Sequence, residues 1–368
     1  MCVSSKFQYN EKALENLRIK DTSILDHLID HQSFRENSLK KNRRKEDKRM
    51  SLKDAIAKYV DDGDICTDAG FAYVRTPIQA YFEIMRQGKK NLHFIGSPNT
   101  NQSYLMFKGC AKYSHNSYVG AEMRGTDRLY VRNIKQGRGI VLSEWGHGSM
   151  GQGFKAAQYG MPFVASKQLL GSEMLDYNPY VKVDTDPFTG QPVTLIPALH
   201  PDVTIIHCQQ ADMFGNAKIF GPAVNDIALA HSARKVIITC EEVVPELQLR
   251  FDPAFTVIPF VVVDAVVELP FGALPGACPG YYYWYREWWE WIFRIASKTD
   301  EAMDHYLQYW VYGSDDQWGF IDKMSQHMGG SSYLHNLKRL ERAEEYLIED
   351  KGVSFDYQMV IPTSEGGV

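Results

Sequence analysis

The chain has 368 residues, 44% of them hydrophobic, and a formal net charge of -5. That is enough for one large α/β domain or two smaller ones with a substantial core, and a mildly acidic chain makes a poor whole-surface partner for nucleic acid. No run approaches the ~20 apolar residues that span a bilayer, and no apolar signal core opens the N-terminus. Six cysteines, Cys2, Cys66, Cys110, Cys208, Cys240 and Cys278, are scattered without a CxxC pair, which excludes a disulfide or zinc framework as the working expectation. Three of them, Cys66, Cys208 and Cys240, fall inside apolar runs, where a reduced thiol packs as a small hydrophobe. A reducing cytoplasm is the expected location.

In chain order, residues 1–50 read as an extension. Glu11 to Leu28 carries Ala13, Leu14, Leu17, Ile24, Leu25 and Leu28, the pattern of a short amphipathic helical pair. Lys40 to Arg49 then holds seven basic and two acidic residues, which reads first as a solvated linker and second as an anion-facing arm. A new unit begins at Ser51, an N-cap for a helix to Tyr59, and Asp61 to Asp64 turns into a strand over Ile65 to Asp68. Gly70 and Phe71 follow at the strand's end, and Pro77 marks the next helix. Glycine there lets a backbone approach a ligand without a Cβ in the way, and its neighbours can offer N–H groups to an anion; a plain βα turn is the equal alternative.

Leu92 to Gly96 reads as a second strand, opening into a polar loop with Ser97, Asn99, Thr100 and Ser103. Glu122 follows a β-type run and a glycine, and Glu144 ends another apolar strand with His147 three residues on. A Glu beside a His is more often a structural pair than a catalytic dyad, and with no metal-ligand spacing no metal is expected. Ser149 is the expected cap of a helix ending at Gly160, and Asn178 to Val193 reads as a turn-rich excursion. Val203 to Cys208 and Val236 to Cys240 are continuous β-branched runs, the pattern of parallel strands covered on both faces. Between them lie a turn and a crossover helix, Ile227 to Ala233. Ligands of open parallel sheets sit outside the carboxyl ends of the strands, which singles out Gln209, Gln210, Asp212 and Asn216. Phe260 to Leu269 reads as a final buried strand. Tyr281 to Trp291, with eight aromatic residues in eleven, reads as a subunit interface before a substrate lid, and helices follow to Leu347.

Several of these stretches together resemble the A subunit of family I coenzyme A transferases, the glutaconate type above all. The carriers are Ser51 to Ile56, Ala69-Gly70-Phe71 with Arg75-Thr76-Pro77, Phe82 to Gly88, Gly120-Ala121-Glu122, Ala156 to Phe163, Gln209 to Asn216, Cys240-Glu241-Glu242 and Val263 to Val267, in order between about Met50 and Met324. The resemblance implies an open, mostly parallel sheet with helices on both faces, spanning 51–330, before a helical C-terminal strap over 331–368. It implies coenzyme A as a substrate, with no permanently bound cofactor. It also implies a partner B subunit, in a hetero-tetramer or hetero-octamer, whose glutamate attacks the thioester carbonyl and passes through an anhydride to a glutamyl-CoA thioester. No later segment looks like a B-type half, so the nucleophile is expected from the partner.

On this reading Gly70, Phe71, Arg75, Ser97, Asn99, Thr100, Ser103, Gln209, Gln210, Asp212 and Asn216 face the acyl-CoA. The basic arm lies outside the stretches that carry the resemblance; read as an anion-facing arm, it would reach toward the 3'-phosphate or pyrophosphate of coenzyme A. Where the family has glycines in the loop after the second strand, this chain has Pro98, Asn99 and Asn101. Side-chain amides recognise neutral polar groups as readily as carboxylates, so the acyl group stays open. If the same scaffold worked as a thioester hydrolase or decarboxylase, Glu122, Glu144 and His147 would handle the protons. A non-catalytic binding or assembly subunit is the third reading.

Overall fold

The computed structural model describes residues 7–96, 102–120, 125–285, 288–289, 291–293, 298–327, 330 and 332–341, without the side chain of Gln102. Three short helices, α1 (Glu11–Asn16), α2 (Ser23–Ile29) and α3 (His31–Lys40), precede α4 (Leu52–Tyr59). The predicted cap holds: the Ser51 hydroxyl accepts the Asp54 N–H, and Leu52, Ala55 and Ile56 are buried. Then alternate β1 (Ile65–Asp68), α5 (Ile78–Arg86), β2 (Leu92–Gly96), α6 (Gln102–Phe107), β3 (Ala111–Asn116), α7 (Arg128–Lys135), β4 (Ile140–Glu144) and α8 (His147–Gln158). Helix α8 starts three residues earlier than a Ser149 cap implies. Gly146 is its N-cap, and Ser149 sits inside the first turn with its hydroxyl bonded to both the N–H and the carbonyl of Gly146.

The excursion is more ordered than its turn residues imply. Strands β5 (Phe163–Ser166), β6 (Lys182–Thr185) and β7 (Pro192–Pro197) pair antiparallel as a separate small sheet. Their exposed faces lack the apolar alternation that marks a strand in sequence, β6 being exposed at every residue. The chain returns through β8 (Val203–Ala211), β9 (Ala217–Lys218), α9 (Asp226–Ser232), β10 (Lys235–Val243), α10 (Glu246–Phe251), β11 (Thr256–Ile258) and β12 (Ala265–Glu268). The expected strand from Phe260 is therefore shorter. Phe260–Val262 is a single 3-10 turn, and pairing with β10 begins only at Ala265.

Seven strands run parallel in the order β12, β10, β8, β1, β2, β3, β4. Alternate residues of these buried strands point to two different cores. Cys66, Phe94, Val203, Ile205 and Ile237 face α4, α5 and the C-terminal helices, whereas Ile65, Ile95, Ile206, Val236 and Ile238 face α2, α8 and α9. Both faces are thus covered, as a parallel sheet requires. Strand order reverses between β1 and β8: the chain moves outward from β1 to β4, then resumes on the other side of β1. A ligand crevice is expected at such a point, at the carboxyl ends.

Two N-terminal and C-terminal expectations change. Leu25 and Leu28 are fully buried in the second core, and the basic run is not a free linker. Lys41 pairs with Asp264 at 2.7 Å and Lys45 with Glu246 at 2.6 Å. Lys48 is buried, its ammonium on the carbonyls of Phe260 and Val263. Around Arg49 the backbone bridges to Val266 and so covers the edge of β12, which is how an open sheet avoids an unpaired edge. The aromatic run is not an exposed face either: Tyr282, Tyr285, Trp288 and Trp289 are buried. Trp288 packs edge-on to Trp310 and Phe320 of the C-terminal helices, whose ranges include Asp300–Tyr306, Gln317–His327 and Ser332–Glu341. Much of the aromatic area is packed within the chain, while Tyr283 stays 43% exposed.

Candidate functional site

At the carboxyl end of β1 the loop Ala69–Pro77 has an unusual backbone. Gly70 has φ +100°, and Ala72 and Arg75 stand at φ +53° and +56°, where side chains other than glycine are disfavoured. Phe71 and Val74 exchange both backbone hydrogen bonds, at 2.9 and 2.8 Å, closing a tight turn with the Phe71 ring 41% exposed at its tip. A Cβ on Gly70 would come within 2.5 Å of the Val74 carbonyl oxygen, so the glycine is demanded by the loop itself. Arg75 does not face outward. Its guanidinium is fully buried, with Nη1 2.6 Å from Asp226 Oδ1, and it also donates to the carbonyls of Pro222 and His207.

Across the reversal point, Gln209, Asp212 and Asn216 shape the β8–β9 hairpin. The Gln209 amide donates to the carbonyls of Phe220 and Pro279 and accepts the Phe220 N–H. Asp212 Oδ1 accepts three successive N–H groups, from Phe214, Gly215 and Asn216, while Oδ2 accepts from the Asn216 amide. That is an Asx-type turn completed by one buried carboxylate. Only Gln210 reaches the rim, donating to Glu242 Oε2 at 3.1 Å, which also accepts from the Tyr281 hydroxyl at 2.9 Å. Burial first, and then Glu242, push the Tyr281 hydroxyl pKa upward. Sequence reasoning passed over Glu242 and Tyr281 because neither is unusual until the parallel pairing of β8 and β10 sets Glu242 beside Gln210.

Beneath that rim lies a buried network. Glu241 accepts from His207 Nε2 at 2.8 Å, from the Tyr282 hydroxyl at 2.7 Å and from the Phe271 N–H at 2.8 Å. On the other side of the ring, His207 Nδ1 lies 2.9 Å from the Thr239 hydroxyl. Cys278 joins His207 and Glu241 within 4.8 Å, the one cluster of metal-ligating types found among the described residues. Hydrogen bonds already occupy both ring nitrogens and both carboxylate oxygens, so the cluster fits a structural network better than a metal.

The other rim is at β3 and β4. Their register sets Asn116 beside Glu144. Asn116 is bonded to the Ser114 and Tyr130 hydroxyls, and Ser117 Oγ lies 3.1 Å from His147 Nδ1 at the start of α8. Glu144 and His147 are exposed, yet partial desolvation holds the Glu144 carboxyl above its ordinary pKa. Here the expected pair does share a rim, although His147 turns to Ser117. Ser103, by contrast, is fully buried and donates to Asp127, the cap of α7. Ser97, Asn99, Thr100 and Glu122 lie outside the described residues.

Comparison with known proteins agrees with this fold. The coenzyme A transferase family model matches residues 49–269. The A subunit of glutaconate CoA-transferase from Acidaminococcus fermentans is 32% identical, over 78% of this chain and 94% of its own. The crystal structure of that transferase superposes with a TM-score of 0.74 at 31% identity, covering 79% of this chain and 95% of that one. The A subunit of 3-oxoadipate CoA-transferase from Pseudomonas knackmussii is 31% identical over 75% of this chain and 98% of its own. A two-component decarboxylase is also similar, with a TM-score of 0.62 at 28% identity over 70% of this chain and 97% of that one. With the family model covering more than half of its length, the chain belongs to the coenzyme A transferase family.

Proposed function

We propose that this chain is the A subunit of a two-subunit acyl-CoA transferase that moves coenzyme A between a thioester and a carboxylic acid. The observation that carries the reading is the match to nearly the full length of A subunits of two such transferases, joined to loops gathered at the carboxyl edge of the parallel sheet. A glutamate of the partner attacks the acyl-CoA carbonyl, forming an anhydride and releasing the coenzyme A thiolate. The thiolate then attacks the glutamyl carbonyl of the anhydride and releases the first acid, leaving a glutamyl-CoA thioester that the second acid reverses. Coenzyme A is a substrate that leaves each turnover.

This chain contributes the walls of that cleft. The Gly70–Arg75 loop, with Phe71 at its tip, lines the thioester, and Gln210, Asn116, Ser117, Glu144 and His147 offer polar contacts on either side. The described residues contain no helix long and apolar enough to cross a membrane, and the complex is proposed to work in the cytoplasm as a hetero-tetramer or hetero-octamer.

Kinetics of the assembled complex test the reaction. Velocities against acyl-CoA and acceptor acid should give parallel double-reciprocal lines, the mark of a covalent ping-pong cycle. Release of free coenzyme A at full rate with no acceptor acid would overturn transfer in favour of hydrolysis.

A further inference from the structure

The loop after β1 holds a shape that its own backbone does not prefer. Ala72 and Arg75 are non-glycine residues in the left-handed region, and such conformations persist where the surroundings over-determine them. Part of the restraint is backbone: the Arg75 N–H donates to the Ala277 carbonyl at 2.8 Å and the Ala277 N–H to the Tyr73 carbonyl at 2.6 Å. The Thr76 hydroxyl adds a bond to the Ala72 carbonyl at 2.8 Å, and a further restraint runs through the Arg75 side chain. Arg75 crosses the strand-order reversal between β1 and β8 and meets Asp226 twice, Nη1 to Oδ1 at 2.6 Å and Nη2 to Oδ2 at 3.3 Å, with both residues 0% exposed. The same two nitrogens hold the His207 and Pro222 carbonyls. Four contacts to the two terminal nitrogens fix the guanidinium in position and in rotation, which an ammonium, a point charge on a flexible stem, does not reproduce.

Stability alone does not account for such a pair. A buried ion pair generally gains little over packed apolar groups of the same volume, and what it supplies is a single geometry. Here the anchored residue is itself the last strained residue of the loop, so the angle of its Cα–Cβ bond sets the path of Gly70 to Val74. We propose that Arg75 and Asp226 are positioning residues for the transfer reaction, their ion pair holding the Gly70–Arg75 loop in the form that aligns Phe71 and its backbone with the reacting thioester. The inference rests on the reading that this loop lines the acyl-CoA site. Positioning of this kind acts on the transition state more than on ground-state binding.

The test uses the complex with its B partner and three variants of this chain: Asp226→Asn, which keeps the shape and one acceptor oxygen, Arg75→Lys, and Phe71→Ala. Assembly is measured by sedimentation, turnover by steady-state kinetics in both substrates, and loop order by hydrogen exchange at the Phe71 and Val74 amides. Asp226→Asn and Arg75→Lys should assemble and lose at least about tenfold in kcat, with KM for the CoA ester within about threefold of the parent. Their Phe71 and Val74 amides should exchange faster while the Cys66 and Thr67 amides of β1 stay protected.

Unchanged kcat in both variants, unchanged protection in the loop, or a KM that rises with no fall in kcat overturns the proposal. So does failure of both variants to assemble, since positioning leaves the body of the fold intact. Phe71→Ala separates this outcome from the underlying reading: if it leaves kcat and KM untouched, the loop does not meet the substrate. If it impairs them while Asp226→Asn and Arg75→Lys do not, the loop stands and the positioning role fails.

Discussion

Around β1, β8 and β10, the carboxyl edge of the sheet encloses most of its polar side chains, Gln210 and Glu242 apart, whereas two strands away, around β3 and β4, it leaves several open. In the first region Arg75, His207, Gln209, Asp226 and Glu241 are buried and bonded to protein atoms. In the second, Glu144 and His147 are exposed, and Asn116 and Ser117 are half-buried. The same edge therefore does two jobs. Buried polar groups in low dielectric specify a backbone shape because each missing partner is costly, and exposed ones stay free to exchange water for a ligand.

The largest expected effect comes from opening the enclosed region. Glu241→Ala removes the acceptor of His207, Tyr282 and the Phe271 N–H at once, leaving buried donors unsatisfied. We expect a loss of about 3–5 kcal/mol of stability, measured by urea denaturation of the assembled complex. Glu144→Ala on the open side should cost less than about 0.5 kcal/mol, as an exposed position does. Equal losses at the two sites would erase the distinction between the regions.

The sequence discloses these regions unequally. Val203 to Cys208 and Val236 to Cys240 announce parallel strands through uninterrupted β-branched runs, and those strands pair along their length. Ser51 and Gly70 are equally legible, because a cap and a tight turn are local chemistry. Arg75 is not: an arginine after a glycine loop reads as a ligand contact until Asp226, 151 residues away, is brought against it. Gln209, Asp212 and Asn216 follow the same rule, since a residue type that suits a ligand suits a hairpin turn as well. Part of the run Tyr281 to Trp291 follows the same rule, Tyr282, Tyr285, Trp288 and Trp289 being buried and Trp288 meeting helices further along the chain. Long-range pairing decides between using a polar or aromatic group inside and presenting it outside, and no local pattern encodes that choice.

Acid offers a second way to sharpen the comparison, because the core under the open rim is built on neutral histidines. Desolvation holds His93 down at about 4 and pushes His115 well below its ordinary value. Each ring has one buried nitrogen without a protein partner, His93 Nδ1 and His115 Nε2. A histidine with a folded pKa below its unfolded one is protonated first in the unfolded chain, so its contribution is intact at pH 7 and falls as pH drops from about 6.5 toward 4. For His93 the loss reaches about 3 kcal/mol at pH 4. Denaturation midpoints at pH 7 and pH 5 should show the slope, and His93→Gln should lessen it by one histidine's share, His115 and His200 keeping theirs. A variant that keeps the full slope would place the acid sensitivity elsewhere.

The smallest effect, and the one that bears most on substrate, is expected at Glu144. Its shift has the opposite sign to that of His93: partial desolvation raises the carboxyl pKa, so the folded chain binds a proton more readily than the unfolded one. Above its unfolded pKa the charged carboxylate therefore costs a little stability, and that cost is relieved as pH falls through the raised folded value. Glu144→Gln imitates the protonated state at every pH. Because the side chain is exposed and solvent screens it, the gain at pH 7 should stay under about 1 kcal/mol and vanish in acid. If the open rim meets the acyl group, the same substitution should change KM for the carboxylic acid about two- to tenfold, with little effect on formation of the glutamyl-CoA thioester in the partner. An acid KM indifferent to Glu144→Gln, to Ser117→Ala and to His147→Gln alike would leave the open rim without a ligand and move substrate recognition to the Phe71 side of the edge.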